Sequence, residues 1–105
     1  MDVREAIENG ANDIFVSVAT VWEIAIKRAT GKLAFAAPIV ETIERLGFQL
    51  LPITGAHAEH AGGLPRHHND PFDRMLVAQA TLEGLVLGTQ DPMMRPYAVP
   101  LLGLG

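Results

Sequence analysis

Apolar positions recur along the chain at two periods, one typical of amphipathic helices and the other typical of buried strands. Helical spacing, bounded by caps, prolines or glycines, predicts helices over residues 1–10, 20–29, 38–47, 55–62 and 70–84. Nearly continuous apolar runs predict strands over residues 13–18, 48–53, 85–89 and 98–102. Such runs are typical of parallel sheets, whose strands are buried on both faces. Because strands alternate with helices, the pattern predicts an α/β fold with a mostly parallel sheet.

The residues at two helix starts carry the clearest local signals. Asp70 is a good N-cap, because its side chain can accept hydrogen bonds from the first-turn amides, and Pro71 suits the first helical position. Asp73 then falls in the first turn, at the positive end of the helix. Thr20 and Glu23 match a capping box, in which Glu23 reaches back to the Thr20 amide.

Length and composition exclude some classes of protein and of binding site. The chain has 105 residues, which predicts one domain with one core, and it contains no cysteine, which excludes disulfides and thiolate metal sites. The absence of cysteine fits a reducing cytoplasm, where we expect the protein. No stretch is long and apolar enough to span a membrane, so we expect no membrane partner. The net charge of −4 argues against a protein that holds nucleic acid mainly by phosphate contacts. A nuclease that binds a divalent cation remains compatible with that charge.

Three acidic residues are predicted near one edge of the sheet, where parallel α/β folds bind ligands. Glu23 lies near the start of the helix after the strand at 13–18, Asp91 follows the strand at 85–89, and Asp73 opens the helix at 70–84. If the loop before Asp70 leads to that edge, the three carboxylates share one pocket. Clustered carboxylates without cysteine favour Mg²⁺ or Mn²⁺ over zinc. The residues alone equally allow each acid to cap its own helix.

Trp22, His57 and His60 each have a functional and a structural interpretation. Trp22 shares a helix face with Val18 and Ala25 and is expected in the core, with base stacking as the less favoured alternative. His57 and His60 share a helix face and could bind zinc, but we expect both to be exposed.

Three further residues adjoin the presumed site edge. Ser17 and Thr89 end their strands there, where each could hold a carboxylate or a water, or simply cap a helix. Arg74 follows Asp73 and is expected either to pair with a carboxylate or to contact a phosphate.

Four segments, in this order, resemble the PIN-domain family, and more narrowly the VapC-type toxin ribonucleases of bacterial type II toxin–antitoxin pairs. The first two are Ser17-x-x-Thr20-x-Trp22-Glu23-Ile24-Ala25-Ile26-Lys27 and Gly31-Lys32-Leu33. The others are His68-x-Asp70-Pro71-Phe72-Asp73-Arg74 and Thr89-x-Asp91. Together they span nearly the whole chain, and the segments at 22–27 and 70–74 are the most specific part of the resemblance.

The resemblance implies a three-layer α/β/α fold and an endoribonuclease that needs Mg²⁺ or Mn²⁺, cuts RNA and is inhibited by an antitoxin protein. The acids of the family map onto Glu23, Asp73 and Asp91 as catalytic residues and metal ligands. Asp70 belongs to the motif and is expected to cap its helix or to support the ligands. A histidine often stands at the position of His68, which implies a supporting or substrate-binding role there.

The sequence departs from the family pattern at its start. Family members begin with a buried strand that carries a first aspartate in a Leu-Asp-Thr context, and this sequence has no such strand. We therefore expect a sheet that lacks its first, central strand and one metal ligand, and a homodimer that covers the exposed edge. The alternative function is a catalytically impaired PIN remnant that binds an antitoxin or a second copy of itself.

Overall fold

The computed structural model describes residues 3–9, 12–34, 36–65, 70–88 and 101–102. Within these ranges the chain forms five α-helices and four short strands. The helices are α1 (Val3–Glu8), α2 (Val18–Ala29), α3 (Ile39–Arg45), α4 (Gly55–Gly63) and α5 (Pro71–Glu83). The strands are β1 (Phe15–Ser17), β2 (Gln49–Leu51), β3 (Leu87–Gly88) and β4 (Leu101–Leu102). Both strand pairs are parallel, which confirms the predicted α/β class.

The first of two compact units comprises Asp13–Ile53 and contains β1, α2, α3 and β2. Its two strands run parallel, with Val16 aligned to Leu50. The chain returns to the same edge because α2 and α3 form the crossover between the strands, as parallel pairing requires. Ile39 and Ile43, one turn apart on α3, are buried.

The start of α2 differs from the prediction. Ser17, and not Thr20, is the N-cap, and its Oγ accepts a hydrogen bond from the Ala19 amide at 3.0 Å. The predicted capping box between Thr20 and Glu23 is therefore wrong. The extended backbone of Ser17, at φ −65° and ψ 143°, suits both the last residue of a strand and an N-cap, so the helix begins directly after β1. This also shortens β1, which was predicted to be buried on both faces, whereas Phe15 is 38% exposed.

Trp22 is 63% exposed, so its predicted place in the core is wrong. Val18 and Ile26, at 38% and 39%, lie on the same face, and we call these three residues the α2 apolar stripe. Helical periodicity shows which residues share a face, but it does not show which neighbour covers that face. Within the described residues of this unit the buried apolar positions are Ala19, Ile39 and Ile43.

The second compact unit contains the remaining described elements, among which α4 packs against α5. Leu64, Leu85 and Leu87 pack against Val77 and Ala80, which are 1% and 5% exposed. The sequence predicted α5 well, since Asp70 caps it, Pro71 is its first residue, and Gly84 ends it at a φ of +67°. A left-handed backbone of this kind suits glycine, which has no Cβ to collide with the following carbonyl.

His57 is 1% exposed, so the expectation that it is exposed is wrong. Its ring Nδ1 accepts from the Thr54 amide at 3.0 Å, while Thr54 Oγ1 accepts from the His57 amide at 3.2 Å. His57 thus takes the place that Glu or Gln usually has in a capping box. Its Nε2 lies 2.8 Å from Glu83 Oε1, which links the start of α4 to the end of α5.

Within the described ranges, no helix is both long and apolar enough to cross a membrane. Helix α5, for example, has thirteen residues.

Candidate functional site

The first turn of α5 brings together three of the predicted site residues, Asp70, Asp73 and Arg74. Asp70 Oδ1 accepts from the Phe72 amide at 2.9 Å, and the Asp70 carbonyl accepts from the Arg74 amide at 3.1 Å. Asp73, the third residue of the helix, is partly buried. The first-turn amides and the helix dipole both favour negative charge at this end of α5. The structure therefore confirms Asp70 as a cap and places Asp73 where an ionised carboxylate is stabilised.

The Arg74 side chain reaches back to the end of α4. Its Nη2 donates to the carbonyl oxygens of Ala61 and Leu64 at 2.9 Å each, and its Nη1 donates to the carbonyl oxygen of Pro65 at 3.1 Å. The predicted partner of Arg74 was a carboxylate or a phosphate, and these carbonyls are contacts that the sequence did not suggest. A helix leaves its last carbonyls without intrahelical partners, so a guanidinium that starts the next helix can satisfy them.

Ser17 and Glu23 are both on α2. Ser17 is 6% exposed and caps the helix, which is the structural alternative considered for it. Glu23 is the sixth residue of α2, in the second turn, and is partly buried. The described structure therefore holds Glu23 on a well-capped helix but not at the capping position that the sequence suggested.

The other predicted site residues, His68, Thr89 and Asp91, lie outside the described residues. Glu23 and Asp73 belong to different compact units. In the part of the chain that the structure describes, no group of three or more His, Cys, Asp or Glu side chains could hold a metal ion. The convergence of Glu23, Asp73 and Asp91 stays a prediction.

The donor types fit a hard divalent cation. Glu23 and Asp73 offer carboxylate oxygens at partly buried positions, and the chain has no cysteine that would favour a softer metal. Asp70 Oδ1 caps α5, and the supporting role expected for Asp70 beside the metal ligands stays a prediction.

The first unit also contains a groove of about 190 Å³. It is lined by Ile24, Leu33, Ile39, Thr42 and Ile43. A lining without carboxylates does not suit a cation or a phosphate, so the groove is not the predicted metal site.

Comparison with known proteins gives one family. A search of curated proteins found no match. The family model described as PIN domain matches residues 1–99, which is nearly the whole chain and includes all the predicted site residues. PIN domains are nucleases, generally ribonucleases, and they generally depend on a divalent metal. The chain therefore belongs to the PIN domain family.

Proposed function

We propose that this chain is a Mg²⁺- or Mn²⁺-dependent endoribonuclease of the VapC toxin type, which acts in the cytoplasm and is inhibited by an antitoxin protein. The observation that carries the proposal is the first turn of α5. There, a motif typical of the family, Asp70-Pro71-Phe72-Asp73-Arg74, folds into a capped turn that holds Asp73 at the positive end of a helix. The family match supports the nuclease activity, and the VapC type rests on the sequence motifs.

The proposal assigns metal binding and catalysis to Glu23, Asp73 and Asp91. A divalent cation held by such carboxylates would activate water and offset the charge that develops on the phosphodiester. Asp70 keeps the start of α5 in place by capping it, and Ser17 does the same for α2. His68 and Thr89 are assigned to the surroundings of the ligands or to substrate contacts.

RNA cleavage with added Mg²⁺ or Mn²⁺ tests the catalytic assignment. We expect Glu23→Gln, Asp73→Asn and Asp91→Asn each to lower the cleavage rate by roughly a hundredfold or more, because even residues that only support metal ligands often contribute ten- to hundredfold. Glu44→Gln is the matched control, since Glu44 is exposed on α3 and outside the predicted site. Metal-dependent cleavage that Asp73→Asn leaves unchanged would contradict the assignment.

We propose in addition that the chain forms a homodimer, and the exposed α2 apolar stripe supports this. Val18, Trp22 and Ile26 expose apolar surface on one helix face, and burying it against a second copy would remove that surface from water. Sedimentation should show a concentration-dependent dimer that Trp22→Ser weakens. Leu46→Ser is the control, because Leu46 is also apolar and 62% exposed but lies at the end of α3.

The same stripe favours the second candidate function, a PIN module that binds an antitoxin or a second copy without cutting RNA. The two functions differ in one measurement. A chain that forms the dimer but cleaves no RNA with either metal supports the binding module, whereas metal-dependent cleavage supports the enzyme.

A further inference from the structure

The α4–α5 pair is held together by polar contacts at both of its ends. At one end Arg74, in the first turn of α5, donates to the Ala61, Leu64 and Pro65 carbonyls around the end of α4. At the other end Glu83, the last residue of α5, accepts from His57 near the start of α4. With a rise of 1.5 Å per residue, the two contacts lie about 13 Å apart along α5.

The Arg74 end is the more constrained of the two. A planar guanidinium that donates to three carbonyls allows little rotation or sliding of the turn that carries it. The carbonyls at the end of α4 also bear the negative end of that helix dipole, which strengthens their attraction to a cation. Glu83 is 44% exposed and makes a single contact with His57, so its hold on α5 is weaker.

We infer that Arg74 is a positioning residue for Asp73. The inference rests on the proposed function. Asp73 and Arg74 are consecutive residues of one helical turn, so the three contacts that hold Arg74 against α4 also set the direction in which Asp73 projects. The three donors that these contacts use are directed at protein carbonyls, which gives the side chain a structural role. Displacing a reacting group by about 1 Å can cost a hundredfold in rate, so a rigid first turn matters for the site.

Two readouts on the full chain test this inference: Mn²⁺ affinity by titration calorimetry, and hydrogen exchange of the amides of residues 72 and 74. These amides bond to Oδ1 and to the carbonyl of Asp70, so they report directly on the first turn of α5. The variants are Arg74→Ala and Arg74→Lys. Glu83→Ala is the matched control, because it removes the contact at the opposite end of the same helix pair.

We expect Arg74→Ala to weaken Mn²⁺ binding about tenfold and to speed exchange at both amides, as loss of a group that supports a metal ligand typically does. Arg74→Lys should recover only part of either effect, because one ammonium cannot reproduce the guanidinium fork. Glu83→Ala should lower the unfolding midpoint while leaving Mn²⁺ affinity and both amides unchanged.

Equal effects of Arg74→Ala and Glu83→Ala on both readouts would overturn the inference, since Arg74 would then contribute only stability. If Arg74→Ala does not fold, Arg74→Lys decides the matter, and wild-type values in that variant would overturn it. If the wild-type chain binds no Mn²⁺, the metal assignment of the proposed function fails, and the exchange comparison alone decides whether Arg74 holds the Asp73 turn.

Discussion

His57 donates from Nε2 to Glu83 Oε1 at 2.8 Å, so a buried ring joins the start of α4 to the end of α5. The same ring accepts the Thr54 amide at Nδ1. The tautomer with its hydrogen on Nε2 satisfies both contacts at once. His57 is thus a structural residue of the second unit, and it lies apart in sequence from the residues assigned to metal binding.

Replacing His57 by Ala should destabilise the chain by about 2–4 kcal/mol, because it removes both contacts and leaves a cavity at a position that is 1% exposed. Urea unfolding measures this change in the free energy of unfolding. His57→Gln should recover part of the loss, since glutamine can still accept from the Thr54 amide in a capping box.

Two control variants test whether the loss of stability is specific to His57. Glu83→Ala should cost less than about 1 kcal/mol, because Glu83 is 44% exposed and water screens its charge. His60→Ala, one turn further along α4, should cost less than His57→Ala, because His60 is only partly buried. A loss in His60→Ala as large as that in His57→Ala would contradict the structural role given to His57.

Asp70→Ala should lower the free energy of unfolding by about 1 kcal/mol, the usual cost of removing an N-cap. Asp70→Asn should retain most of the stability, because its side-chain oxygen can still accept from the Phe72 amide. Thermal or urea unfolding checks both variants. If Asp70→Asn is as destabilised as Asp70→Ala, the negative charge matters more than the cap.

Gly84→Ala should destabilise the chain by about 1 kcal/mol, since alanine is strained at a φ of +67°. Gly62→Ala makes the same chemical change inside α4, where φ is not positive and nothing lies within 4 Å of the added Cβ. That variant should be stabilised by about 0.5–1 kcal/mol, because alanine is the better helix former. The opposite order of the two variants in urea unfolding would contradict the helix ends described here.

Trp22 is the chain's one tryptophan, so its fluorescence reports on the α2 apolar stripe without labelling. At low protein concentration, acrylamide should quench the native emission almost as well as that of the unfolded chain, because Trp22 is 63% exposed. If the proposed dimer buries the stripe, quenching should weaken as the protein concentration rises. Strong protection at every concentration would instead place Trp22 in the core of the monomer.

The helix ends that depend on local chemistry could be predicted from the sequence. Asp70, Pro71 and Gly84 each satisfy or avoid a backbone constraint within a few residues, so both ends of α5 were predicted correctly. Glycine at a φ of +83° likewise ends the α3 region at Gly47. The α/β class follows from the alternation of apolar periods, which does not depend on distant contacts.

The incorrect predictions have two causes. Some side chains depend on residues that are distant in sequence, and at the start of α2 two neighbouring residues could each serve as the N-cap. Trp22 was placed in the core because its periodicity was helical, although periodicity does not identify the covering neighbour. Ser17 is the N-cap instead of Thr20, and the sequence did not distinguish them because both residue types suit that role. His57 and Arg74 contact residues 26 and up to 13 positions away, which local patterns do not reveal. The metal cluster depends on such long-range convergence, so it too stays a prediction.

The most direct test of the central claim is the broadening that paramagnetic Mn²⁺ causes in the amide resonances of the chain. If Glu23, Asp73 and Asp91 hold one ion, substoichiometric Mn²⁺ should broaden the amides around all three residues together, and Asp73→Asn should weaken the effect at all three. Broadening at only one of these positions, or at none, would contradict the proposed metal site.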